Sequence, residues 1–151
     1  FIYKTEQLLP VSLEQAWGFF SSPMNLAEIT PGNPDFKIAS KTVSREIFEG
    51  MIIEYRLKPL GNIPLRWRTR ISDVDRPYSF TDVQLKGPYR VWEHRHEFTE
   101  TKRGVLVLDE VKYRLPLGWI GRLAHRLVVR KRIAEIFEYR RQKLQKIFGH
   151  G

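Results

Sequence analysis

The chain has 151 residues, with 26 Lys and Arg against 17 Asp and Glu, no cysteine, and 42% hydrophobic and 13% aromatic residues. That composition excludes a disordered chain, a disulfide framework, a thiolate metal site and a cysteine nucleophile, and the length suits a single domain over residues 1–151. No apolar run approaches the ~18 residues of a membrane span, and Phe1–Pro10 lacks the plan of a signal peptide, so a cytoplasmic location is expected.

Phe1–Leu9 alternates and predicts a first strand. Ser12 with Gln15 three residues on has the form of a capping box, and Leu13, Ala16, Trp17 and Phe20 follow at helical spacing. Pro23 opens a second short helix through Ile29, ended by Thr30-Pro31-Gly32. Strands are predicted over Phe36–Lys41, Met51–Lys58, Leu65–Asp73, Phe80–Leu85, Arg90–Glu100 and Val105–Arg114. Pro59–Pro64 is a turn, and Lys102-Arg103-Gly104 bends the last two strands into a hairpin. From Trp119 to Phe148 the pattern is helical, but its apolar stripe is not straight. Ile120, Leu123, Ala124 and Leu127 lie on one side, whereas Val129, Ile133, Ile136, Phe137, Leu144 and Ile147 lie well round from it. A kink or break near Leu127–Arg130 is therefore expected. One-sided strands need a cover, and only this helix is large enough. The fold class is α+β: seven antiparallel strands curved around a long C-terminal helix, with two short helices after the first strand.

Charge is uneven. Arg122, Arg126, Arg130, Lys131, Arg132, Arg140, Arg141, Lys143 and Lys146 face only Glu135 and Glu138, so this segment carries +7 of the net +9. A solvated helix face explains this most simply, and a surface for an anionic membrane is the functional alternative. No zinc finger, RNA-recognition signature or basic zipper supports nucleic acid as a partner.

Alternation also assigns faces. Trp92, His94, His96 and Phe98 share the face without formal charge. With Lys102 and Arg103 central in the hairpin, Phe98 meets Val107, His96 meets Asp109, His94 meets Val111 and Trp92 meets Tyr113. A slip of one residue would invert a strand, so the register is well determined. If Phe80 points inward, so do Asp82 and Gln84. Tyr55, Thr69 and Tyr113 add to the inward polar set. Unpaired buried polar groups cost about 1–3 kcal/mol each. Either these groups satisfy one another or they line a hydrated or ligand-filled cavity, and the cavity is the expectation.

The run Phe80-Thr81-Asp82-Val83-Gln84, then Gly87-Pro88-Tyr89, then Trp92-Glu93-His94-Arg95-His96-Glu97-Phe98, resembles a group within the SRPBCC superfamily. Ala16-Trp17-Gly18-Phe19-Phe20, Leu26-Ile29-Thr30-Pro31 and Tyr113-Leu115-Pro116-Leu117-Gly118 are similar to it as well. The superfamily includes START lipid-binding domains, pollen-allergen-like proteins and aromatic polyketide cyclases. The resemblance implies a START-like helix-grip fold with a cavity between sheet and C-terminal helix, in a single-domain bacterial-type group of largely unassigned function.

Three functions follow as expectations. The first is binding of a small apolar ligand bearing polar groups. Tyr55, Trp67, Phe80, Trp92 and Phe98 would be its walls, and Thr69, Asp82, Gln84, His94, His96, Asp109 and Tyr113 its polar contacts. The entrance would lie near Pro31–Pro34 and Gly61-Asn62. The second is a cyclase or dehydratase in which His94 or His96, held by Asp109, works as general base on a carbonyl substrate. The third is an interaction module in which the basic helix makes transient contact with an anionic membrane or a protein. Gly-x-Ser-x-Gly, P-loop and dinucleotide motifs are absent, and no cofactor is expected. His94 and His96 with Asp82 or Asp109 could form a two-His, one-carboxylate metal set, but strand histidines are more often hydrogen-bonded cavity residues, and no metal is expected.

Overall fold

A computed structural model describes residues 1–31, 35–38, 46–57 and 64–150. Strand β1 (Ile2–Leu9) leads to helices α1 (Leu13–Phe20) and α2 (Pro23–Glu28). Then come β2 (Asp35–Ile38), β3 (Ile52–Leu57), β4 (Leu65–Asp75), β5 (Ser79–Lys86), β6 (Val91–Thr101) and β7 (Gly104–Arg114). All seven form one antiparallel sheet in the order β1-β7-β6-β5-β4-β3-β2. The chain finishes with α3 (Gly118–Ala124), a π-helical turn (His125–Val129) and α4 (Arg130–Phe148). None of the described helices is long and apolar enough to cross a membrane.

The local reasons are those the residues announce. Ser12 caps α1: its hydroxyl accepts from the Gln15 amide at 3.1 Å, and the Gln15 side chain accepts from the Ser12 amide at 2.9 Å. The β6–β7 hairpin has the expected register throughout, including His96 opposite Asp109 and Trp92 opposite Tyr113. The second strand occupies Asp35–Ile38; the rest of its expected span, the Pro59–Ile63 part of the turn and the entrance residues Gly32–Pro34 and Gly61-Asn62 lie outside the described residues. The main core joins α1 to the sheet. Trp17 meets Phe80 and Phe98 edge-on, with ring centroids 5.9 and 6.1 Å apart, and Leu9, Phe20, Ile71, Val105 and Val107 fill in around them. Phe80 and Phe98, expected as ligand walls, are therefore buried in this core.

The C-terminal helix runs on through the π-helical turn His125–Val129, which is the irregularity that stands where a kink or break was expected near Leu127–Arg130. It buries Gly121, His125, Ile133 and Phe137, with Val129 partly covered, so every fourth residue faces the protein. A regular helix drifts by ~40° at each such step, and the surplus residue of the π-turn offsets ~100° of the total. Gly121 also lets the chain pass close to its own preceding turn: a Cβ there would stand 2.2 Å from the Pro116 carbonyl oxygen. The first apolar stripe, Ile120, Leu123, Ala124 and Leu127, consequently faces solvent rather than the core.

Two glycines separate the backbone effects. Gly104 has φ +139°, and a Cβ there would lie 2.1 Å from the Leu9 carbonyl oxygen, whereas Gly18 in α1 has open space around it. Gly104→Ala should lower unfolding free energy by more than about 1 kcal/mol in urea titration, while Gly18→Ala should raise it by roughly 0.5–1 kcal/mol.

Candidate functional site

The pleat sends His94, His96, Asp82 and Asp109 to the concave side of adjacent strands. Asp82 pairs with His94 across β5–β6, and Asp109 pairs with His96 across β6–β7. The side chains then lock together. The His94 Nε2–H donates to Asp109 Oδ1 at 2.7 Å and the His96 Nε2–H to Asp82 Oδ2 at 2.8 Å. The two imidazoles stack with centroids 3.9 Å apart, and Phe80 covers the other face of His96 at 4.3 Å.

The fifth member comes from α4. Arg140 places Nη2 3.2 Å from Asp109 Oδ1, and its guanidinium lies 5.4 Å from the Phe20 ring centroid and 5.8 Å from that of Phe137. Arg140 is buried, which corrects its expected place on a solvated basic face. It sits on the packed stripe of α4 with Ile133, Phe137 and Leu144, and a cation can lie there because Asp109 waits beneath it. Sequence reasoning missed it. The available signal was its place three residues after Phe137 and four before Leu144.

Electrostatics divides the cluster. For Asp109, desolvation pulls upward, but the Arg140 charge and the hydrogen bonds from His94 and His96 hold the carboxyl well below its ordinary range. Asp82 is lowered against its own desolvation by the His96 hydrogen bond and by the charges of both histidines and Arg140. His96 is desolvated too, yet hydrogen bonds to Asp109 and Asp82 outweigh this and raise its pKa. His94 goes the other way: burial and the neighbouring His96 charge lower it. The two histidines thus shift in opposite directions, and His96, between two carboxylates, holds a proton more readily than His94. Among the described residues, Asp82, His94 and His96 also bring ligand atoms within 4.8 Å of one another. An ion there would have to displace the His96 proton and lie near Arg140.

The other expected site residues separate into groups. Tyr55, Trp67 and Trp92 gather with Tyr89 into an aromatic wall: Tyr55 stacks on Trp67 at 6.0 Å, Trp67 meets Trp92 edge-on at 5.2 Å, and Tyr89 lies 4.7 Å from Trp92. The Trp67 Nε1–H is buried and has no acceptor among the described residues. Burial and then the Asp82 charge push the Tyr55 phenol far up, and burial takes Tyr89 up to about 12. Tyr89, not anticipated, is held by Gln84, whose Nε2–H donates to the Tyr89 carbonyl at 2.6 Å. Gln84 thus serves the Gly87–Tyr89 turn, and Thr69 donates to the Val83 carbonyl. Tyr113 donates to His125 Nε2 at 2.5 Å, beneath the π-turn.

A hollow of about 10 Å³, room for one water, lies against Asp109, Arg140 and Phe137, and the buried Arg140 Nε–H has no acceptor among the described residues. A larger hollow, about 290 Å³, is lined by Arg56, Arg66, Arg68, Lys86 and Glu54 with parts of Tyr55 and Trp67, and Glu54 pairs with Arg68 at 3.5 Å.

No protein-family model matches the chain, and no curated protein matches it. Solved structures do. The Thermus thermophilus protein TTHA0849 superposes with a TM-score of 0.75 at 15% identity, over 96% of this chain and 94% of that one. A norcoclaurine synthase from Thalictrum, a point mutant in complex with a transition state analogue, gives 0.67 at 13% identity, over 97% and 94%. Ara h 8.0201 gives 0.63 at 12% identity, over 97% and 98%. The chain shares the helix-grip fold with these proteins.

The cluster predicts its own titration. The stabilisation from a charged His96 is complete below its unfolded pKa of about 6.5 and fades as pH rises through the raised folded value. That from Asp82 and Asp109 is complete above about 4 and is lost as pH falls through their lowered values. Imidazole NMR should show His96 titrating above His94. Arg140→Met, which strands the Asp109 charge, should cost about 3–5 kcal/mol in urea unfolding at pH 7.

Proposed function

We propose that this protein binds a small, largely apolar molecule carrying a hydrogen-bond acceptor, against the aromatic wall of Tyr55, Trp67, Tyr89 and Trp92. The observation that carries this reading is the Trp67 indole N–H, buried and without an acceptor among the described residues. A donor left so costs about 1–3 kcal/mol, and a ligand oxygen would recover it. The wall supplies flat apolar area for such a ligand. The same fold holds a transition state analogue in the norcoclaurine synthase. Placement of the chain in the cyclase-like part of the SRPBCC superfamily belongs to this proposal, as do the lipid-like or polyketide-like character of the ligand and a cytoplasmic site of action.

One observation favours chemistry as a second reading. Burial and the neighbouring His96 charge lower the His94 pKa, which favours neutral imidazole, the form a general base needs. His96, 1% exposed and held by two carboxylates, is a positioning group instead. In an aldol-type cyclisation or dehydration, His94 would take the proton next to a carbonyl and Asp109 would orient its ring. His94→Asn should then abolish turnover of a polyketone while leaving binding in place.

Binding is tested by titrating anilinonaphthalene sulfonate and a series of aromatic ketones against tryptophan fluorescence. Trp67→Phe keeps the ring and removes the donor. It should weaken ketone binding roughly tenfold and leave the free protein at least as stable. Absence of saturable binding, or equal ketone affinity in wild type and variant, would refute the reading.

A further inference from the structure

Helix α3 and the π-turn show their apolar side to solvent. Trp119 and Leu127 are each 69% exposed, Leu123 is 49% and Ile120 is 48%. Spacings of three and four put them on one face, and the buried Gly121 and His125 lie opposite. These side chains are contiguous on the helix, unlike the scattered single hydrophobics of an ordinary surface.

The charges around this stripe say what fits it. Arg122 and Arg126 border it, and Arg130 and Lys131 follow one turn on. All four are exposed, and none has an ion-pair partner among the described residues. No acidic residue occurs between Glu110 and Glu135. A second copy of the chain, docked through the same face about a two-fold axis, would set these arginines against each other. An anionic bilayer satisfies both features. Indole and leucine side chains enter the boundary between headgroups and acyl chains, while arginine stems lie along the apolar surface and their guanidinium groups reach the phosphates.

We propose that the face formed by Trp119, Leu123 and Leu127, rimmed by Arg122, Arg126 and Arg130, docks the protein on anionic lipid membranes. The helix is placed to couple docking to the aromatic wall. His125 on its inner side accepts from Tyr113, whose ring lies 6.2 Å from Trp92 and 6.1 Å from Tyr89. Docking itself does not depend on a ligand being bound.

The test is flotation of the full chain with vesicles of phosphatidylcholine alone or of phosphatidylcholine and phosphatidylserine in equal parts. The wild type should bind the anionic vesicles, and its emission should shift to the blue as Trp119 leaves water, since Trp17 and Trp67 are already buried. Arg122→Gln with Arg126→Gln should weaken that binding roughly thirtyfold, and 1 M salt, which cuts the screening length to ~3 Å, should do likewise. Trp119→Gln, Leu123→Gln and Leu127→Gln together should abolish binding and the blue shift with circular dichroism unchanged, because all three side chains are exposed. Equal binding to neutral and anionic vesicles, no binding to either, or binding unaltered in the triple variant would overturn the proposal. So would self-association of the wild type that the triple variant removes, which would assign the face to a second copy.

Discussion

A single carboxylate oxygen joins the two halves of this fold. Asp109 Oδ1 lies 2.7 Å from His94 Nε2, 3.3 Å from His96 Nδ1 and 3.2 Å from Arg140 Nη2. The first two partners belong to the sheet and the third to the helix that covers it. Apolar packing between a sheet and a helix is tolerant of sliding, because dispersion and burial have little direction. A buried ion contact is not tolerant, because each group left unpaired there is costly. Asp109 therefore fixes where along α4 the sheet makes contact, and with it the positions of Phe137, Leu144 and the π-turn.

Much of this was legible in the residues, for a definite reason. A strand with one buried face constrains register strictly, so the Trp92–His94–His96–Phe98 alternation against Val107, Asp109, Val111 and Tyr113 gave the hairpin pairing. The opposition of His96 and Asp109 followed directly, but the shortest Asp109 hydrogen bond comes from His94 on the diagonal, and His96 donates to Asp82 instead. What was not legible was the third dimension. Nothing in β5, β6 or β7 states which helical residue will lie over them, and an arginine on a basic helix reads first as surface. The apolar stripe of α3 misled for the related reason that periodicity shows that a face exists, not which way it turns. Gly121 and His125, neither of them strongly apolar, mark the side that is packed.

The polar residues also sort by what lies within reach. Gln84 and Thr69 point inward as alternation requires, yet each finds a backbone carbonyl close by and is spent on the scaffold. His94, His96, Asp82 and Asp109 pair instead with one another and with Arg140. Phe80 and Phe98 lie beside α1 and become core, whereas Trp67 and Trp92 lie beyond the reach of that helix and keep the company of other rings. Position along the strand, not residue type, separates scaffold from candidate site.

The π-turn has a consequence for how the C-terminal segment can change over time. An α-helix with one surplus residue has a phase: remove the surplus and every position downstream turns by ~100° relative to everything upstream. In this protein the downstream part holds Arg140 on Asp109, so it is the upstream part that would have to rotate. The segment Gly118–Ala124 is therefore fixed in its residue count, because a single deletion would swing Gly121 away from Pro116 and turn the Trp119 side toward the sheet.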